Sequence, residues 1–173
     1  MKRTILALMA ACSALIATAS FAANPAAAKS FVDTVATQVI GIVKSDALSK
    51  AEKQSKIEAI FENKVDIGFI SKFVLGKHWR TANAQQQQEY VAAYKPFILK
   101  NYAAKLTKYS GQTYSLRNAR ADGDASVVTM DIHDTNGQDV VVDYRLRGDS
   151  GAFRIVDIMV EGVSLLATQR SEF

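Results

Sequence analysis

Apolar residues recur every three or four positions through the first half of the chain and every second position afterwards, with the change near Gly111. Spacings of three and four place side chains on one face of a helix, and alternation places them on one face of a strand. Between Ala26 and Lys44, the positions Phe31, Val32, Val35, Val39, Ile40 and Val43 predict a helix, with Pro25 just ahead where a first-turn proline is tolerated. Ser49 followed by Glu52 is a capping box that opens a second helix carrying Ile57, Ile60 and Phe61. A third helix is predicted from Val65 to Leu75, with Ile67, Ile70, Phe73 and Val74 together and Gly76 as its stop. Asn83 caps a long fourth helix with a stripe of Tyr90, Tyr94, Phe97, Ile98, Tyr102, Leu106 and Tyr109. Pro96 interrupts its hydrogen-bond ladder at the carbonyl of Ala92 and predicts a kink.

Beyond Gly111, strands are predicted near Thr113 to Arg120, through Val128, Met130 and Ile132, through Val140, Val142, Tyr144 and Leu146, and from Phe153 to Val160. Asn136-Gly137 and the run Gly148 to Gly151 supply the turns. The expected fold is therefore α+β, an N-terminal helical layer on a four-stranded antiparallel meander with one apolar face. A kinked helix over a curved sheet can fail to close, so an apolar cavity between the layers is expected.

The first 22 residues stand apart from this pattern. Lys2 and Arg3 precede an apolar stretch from Ile5 to Ala17, and Ser20-Phe21-Ala22 presents small residues where a signal peptidase reads. The expectation is a secretory signal over residues 1–22, cut after Ala22, and a single exported domain over 23–173. Met9-Ala10-Ala11-Cys12 is a weaker alternative as a lipidation site. No other stretch reads as a membrane span of about 20 apolar residues. Removing the signal lowers the net charge from +4 to +2 and takes away the only cysteine, so the mature chain has no thiol for a disulfide, a nucleophile or a metal. A nearly neutral chain also lacks the concentrated cationic footprint of a nucleic-acid binder. The remaining charge is unevenly spread. Residues 23–111 hold 13 basic and 7 acidic side chains, while 112–173 hold 6 and 10.

Candidate chemistry is sparse. Gly148-Asp149-Ser150-Gly151 resembles the nucleophile segment of a trypsin-like protease but reads as a hairpin turn between alternating runs. Asp131, His133, Asp134 and Asp139 flank the Asn-Gly turn without metal-ligand spacing. His78 beside Trp79 reads as a packed or surface histidine. No phosphate loop or dinucleotide fingerprint occurs, and neither a cofactor nor a catalytic set is expected.

Several segments carry a family resemblance. Leu75-Gly76-Lys77-His78-Trp79-Arg80, Gln88-Glu89-Tyr90, Tyr109-Ser110-Gly111-Gln112-Thr113-Tyr114, Asp157 with Glu161-Gly162-Val163-Ser164, and Thr168-Gln169-Arg170-Ser171-Glu172-Phe173 stand in the order found in the MlaC family, also called toluene-tolerance or auxiliary ABC-transporter proteins. The chain resembles that family along most of its mature length. The resemblance implies a monomeric periplasmic carrier of a cone-like fold, with phospholipid as cargo and no cofactor. It also implies exchange between an outer-membrane lipoprotein complex and an inner-membrane ABC transporter complex bearing an MCE-domain protein, which preserves outer-membrane lipid asymmetry. On the predicted faces, Phe73, Val74, Phe97, Tyr102, Met130, Val142, Tyr144, Ile158, Met159 and Val163 are expected to line a tail cavity, while Asp157, Glu161 and Ser164 hold a strand-to-helix corner. Two alternatives stay open at this point. One is a cone-fold enzyme on a small apolar substrate, with Asp157 or His78 at the cavity base. The other is a carrier of hopanoid-type lipids. Family members usually continue past Phe173 into a further helix, so a truncated chain or a less enclosed cavity is expected here.

Overall fold

The structure, a computed structural model, describes residues 23–107, 111–135, 137–148 and 152–173. The signal expected over 1–22, Tyr109 and Ser110, Asn136 of the first turn and Asp149 to Gly151 of the second lie outside them.

Among the described residues, five helices precede the sheet. α1 (Pro25–Lys44) starts where the side chain of Asn24 accepts the Ala27 N–H at 3.1 Å, with proline in its first turn. It is apolar enough to span a membrane by composition, contrary to the sequence expectation. In the fold, however, its Ala28 and Val32 are buried against Val128, Leu146, Phe153 and Ile155. α2 (Lys50–Lys64) carries the predicted capping box. α3 (Ile67–Leu75) begins two residues later than its periodicity predicts. Val65 is taken by a parallel bridge to Ile155, and the Asp66 N–H donates to the Ile155 carbonyl at 2.9 Å, so extended backbone wins over helix there. A short helix α4 (Lys77–Thr81), not foreseen, follows Gly76, whose φ of 56° turns the chain. α5 (Ala84–Leu106) opens with a second capping box, Asn83 with Gln86, and runs unbroken through Pro96. Pro96 and Ala92 are both exposed, so water can satisfy the carbonyl that proline leaves unpaired.

The sheet is a meander of β1 (Thr113–Asp122), β2 (Ala125–His133), β3 (Asp139–Arg147) and β4 (Arg154–Val160), extended by a two-residue β5 (Val163–Ser164), all antiparallel in sequence order. The expected four strands are thus joined by a fifth, followed by α6 (Leu165–Glu172). One register shift between Leu116 and Ala119 and another beside Arg145 and Leu146 each insert an extra residue, which bends a strand and deepens its twist. Val65 and β5 both lie along β4, covering an edge that would otherwise offer unpaired backbone groups.

Buried apolar residues form two clusters. One joins α1 to the sheet through Val32, Val128, Leu146, Phe153 and Ile155. The other joins α3, α5 and α6 through Ile67, Val74, Tyr94, Ile98, Leu99 and Leu166. Val65 packs against both. α5 approaches chiefly α2 and α3, so its aromatic side faces a helical cluster rather than resting directly on the strands.

Candidate functional site

The ladders decide which expected lining residues share a face. Met130 pairs with Val142, Tyr144 with Ile158, and Val160 with Val163, so these side chains belong to the face that α1 covers. Met159 does not join them. It lies across from Asp143 and Ser164, on the opposite face, because consecutive residues of a strand point to opposite sides. Met130 and Val142 are buried, and Tyr144 and Ile158 pack at the margin of the sheet cluster. Val74 is buried in the helical cluster with Tyr102 at its margin. Phe73 is half-buried, its ring 6.2 Å from Phe69 and 4.9 Å from the Arg170 guanidinium. Two residues sit outside the packed interior, with Phe97 47% and Val163 59% exposed.

Two surface depressions, of about 570 and 440 Å³, both open to solvent, are lined by Leu75, His78, Gln86, Glu89 and Tyr90 in one case and by Lys29, Asp33, Tyr114 and Ser115 in the other. None of the ten expected lining residues borders either.

Burial also acts on the tyrosines. It pushes the phenols of Tyr94 and Tyr144 far above their ordinary range, with Tyr90 and Tyr102 adding to the effect at Tyr94. Tyr102 is raised by burial first and then by the nearby Glu172 and Asp157 carboxylates. All three are neutral hydroxyls at physiological pH. The hydroxyls of Tyr90 and Tyr94 are buried and have no hydrogen-bond partner among the described residues.

The corner residues behave as expected. Asp157 accepts the Ile158 and Leu166 N–H groups at 2.8 and 3.1 Å on one oxygen and the Ser164 hydroxyl at 2.6 Å on the other. The Ser164 oxygen in turn accepts the Ala167 N–H at 3.0 Å and caps α6. Glu161 and Gly162, both at positive φ, make the two-residue turn between β4 and β5. The Glu161 N–H donates to the Val141 carbonyl at 2.9 Å, and its carboxylate accepts the Val141 N–H at 2.5 Å. The side chain thereby takes the place of the carbonyl that β4 would have supplied had it continued. Elsewhere, Arg170 lies 3.2 Å from where a side chain on Gly76 would begin, and Tyr114 donates to Asp33 at 2.8 Å, tying β1 to α1. Most of these motif residues are joints of the fold.

The proposed enzyme residues are differently placed. His78 is exposed, and both carboxylate oxygens of Asp157 are occupied by the corner. A Ser–His–Asp relay that periodicity could not reveal does form: His133 Nε2 lies 3.0 Å from Ser115 Oγ and its Nδ1 lies 2.9 Å from Asp139. It crosses three strands on the polar face, with His133 37% and Asp139 55% exposed. Water competes with every bond of such a relay, whereas acyl transfer needs oxyanion donors in a dry site. Asp131, from the same group of acids, pairs with Arg117.

The profile of the family described as MlaC protein matches residues 33–173, most of the chain. The chain belongs to the MlaC family. Among curated MlaC relatives, the intermembrane phospholipid transport system binding protein MlaC of Haemophilus influenzae is 25% identical over 107 residues, covering 59% of this chain and 50% of that protein. The toluene tolerance protein ttg2D of Pseudomonas putida is 28% identical over 111 residues, covering 63% and 52%. The chain thus spans about half the length of the curated relatives it matches. A phospholipid-binding protein from Ralstonia solanacearum, solved in complex with a phospholipid, has the same fold, with a TM-score of 0.70, 24% identity and 84% of each chain covered.

Proposed function

We propose that this MlaC-family chain is a periplasmic phospholipid carrier, exported by the segment 1–22, that binds one lipid reversibly and carries it between membrane complexes. The observation that carries the reading is the division of the interior into two apolar clusters that share Val65 at their margins, with Tyr102 on one margin and Tyr144 and Ile158 on the other. Two clusters joined in this way can part along a seam without either losing its own core. Acyl tails entering the seam meet Val74 and Tyr102 on the helical side and Met130, Val142, Tyr144 and Ile158 on the sheet side, with Phe73, Phe97 and Val163 toward its rim.

The energetics favour such enclosure. Each buried methylene contributes about 0.8 kcal/mol, so a tail of roughly fifteen contributes on the order of 12 kcal/mol. A carrier must cover most of that surface, or the lipid stays in its bilayer. The names of the relatives from Haemophilus influenzae and Ralstonia solanacearum support phospholipid as the cargo, and the resemblance supports an outer-membrane lipoprotein complex and an inner-membrane ABC transporter complex with an MCE-domain protein as donor and acceptor. The reading is of a monomeric binding protein and not an enzyme, in keeping with an exposed His78 and a fully bonded Asp157.

The test is to purify the chain from a Gram-negative periplasm, extract it with organic solvent and analyse the extract by mass spectrometry. Phospholipid near one per protein is expected. Protein that emerges repeatedly without any lipid would overturn the proposal, and a polycyclic lipid in the extract would replace phospholipid as the cargo.

A further inference from the structure

The side of α5 that faces α6 holds an arrangement that the packing of a core does not explain. Tyr94 is only 3% exposed, yet among the described residues its hydroxyl has no hydrogen-bond partner, and the same is true of the Tyr90 hydroxyl one turn earlier. The two rings stack with centroids 5.5 Å apart. Phe173, just past α6, meets Tyr90, Tyr94 and Phe97 edge-on with centroids at 6.4, 5.9 and 6.5 Å, although 56% of its own surface is exposed. A buried hydroxyl without a partner is costly, and phenylalanine would fill the same space without that cost. The hydroxyls therefore call for an acceptor.

The surroundings say what kind of acceptor. Tyr94 packs among the apolar side chains of Ile67, Val74, Ile98 and Leu99. Outward, Tyr90 borders the open depression of about 570 Å³ that also carries His78, Thr81, Gln86 and Glu89. A tyrosine at the step from apolar to wet surroundings suits the region of an amphiphile where tails give way to oxygen.

Building on the carrier reading above, we propose that the Tyr94 hydroxyl donates to an ester or phosphodiester oxygen of the bound phospholipid, with Tyr90 beside it and Phe173 as the cover displaced on loading. The headgroup then lies over the His78 and Glu89 depression, and the tails run inward past Val74 and Leu99. Phe173 is suited to move because it meets Tyr90, Tyr94 and Phe97 by ring edges.

The experiment compares wild type with Tyr94→Phe and Phe173→Ala, each stripped of lipid and then incubated with vesicles of phosphatidylethanolamine and phosphatidylglycerol. Bound lipid is quantified, and its release to acceptor vesicles is timed. Tyr94→Phe is expected to leave the stripped protein at least as heat-stable as wild type while releasing lipid about five- to tenfold faster, the factor that one net hydrogen bond supplies. Phe173→Ala is expected to speed uptake and release together. A release rate unchanged by Tyr94→Phe, in a wild-type protein that does load phospholipid, overturns this proposal and leaves the carrier reading standing. A wild type that loads nothing overturns the carrier reading itself. Should Tyr94→Phe fail to fold, the Tyr94 ring resonance in wild type gives the answer: a shift of its Cζ signal on loading supports the bond, and an unmoved signal refutes it. Repeating the comparison with an ether-linked phospholipid, which has no ester carbonyl, tells the two oxygens apart.

Discussion

Glu161 occupies a backbone conformation, φ 50°, that costs a residue with a side chain about 1–2 kcal/mol and glycine almost nothing. Its carboxylate offsets that cost by accepting the Val141 N–H, a charge-assisted bond worth roughly 1.5–3 kcal/mol. The two effects can be separated. Glu161→Ala keeps the strained angle and loses the acceptor, so a loss of about 2–3 kcal/mol is expected in urea unfolding. Glu161→Gly loses the acceptor but relaxes the angle and should lose about 1 kcal/mol less. If glycine proves no better than alanine, the positive φ is not a source of strain. The corner role of Glu161, Asp157 and Ser164 was legible from their position after a strand and before a short helix. The partner of Glu161 was not, because Val141 reaches it only through the β3–β4 ladder.

At the level of elements, capping explains where helices begin and makes one of them sensitive to acid. The Ser49 hydroxyl and backbone N–H both bond the Glu52 carboxylate, and they hold its pKa below the ordinary 4.5. A carboxyl depressed in the folded state contributes stability above its unfolded pKa and loses it as pH falls through the folded one. Ser49→Ala should therefore be less stable than wild type at neutral pH, and the gap should narrow as the pH is lowered through and below the ordinary carboxylate range. Thermal melts across that range check the sign, and a constant gap would contradict it. Pro96 gives a second prediction. An interior proline costs a helix as much as about 3 kcal/mol, so Pro96→Ala should raise stability by about 1–3 kcal/mol in the same melts. The helices themselves were readable because caps and periodicity are local. The start of α3 was not, because Val65 answers to Ile155 some ninety residues away. Nor was α4, whose five residues are too few to show a period.

For the whole molecule, the direction in which each side chain points decides which substitutions reach the seam. If acyl chains lie between the two clusters, Tyr144→Asp or Met130→Glu puts a charge among them, and lipid loading should be abolished. Met130→Ala should cost about 2–5 kcal/mol of stability yet still load, which separates damage to folding from damage to the site. Met159→Gln, on the other face, should load like wild type. Lipid per protein after organic extraction measures all four, and undiminished loading in Tyr144→Asp would show that the tails lie elsewhere. The aromatic stripe of α5 likewise divides only in the fold: Tyr94 and Ile98 turn inward and Phe97 is left at the surface.

Element type, the helices-then-strands order, the turns and the family motifs were determined by the sequence by itself, since each depends on residues within a few positions of one another. Tertiary structure alone decided that Val141 reaches the Glu161 carboxylate, and that Ser115, His133 and Asp139 meet across three strands. It also decided that the hydroxyls of Tyr90 and Tyr94 lie buried beneath Phe173, without partners among the described residues. The physical reason is the same in each case. Burial and hydrogen-bond satisfaction belong to pairs of residues brought together by strand register and helix packing, and a period of 3.6 or 2 says which side a residue is on without saying what will lie against it.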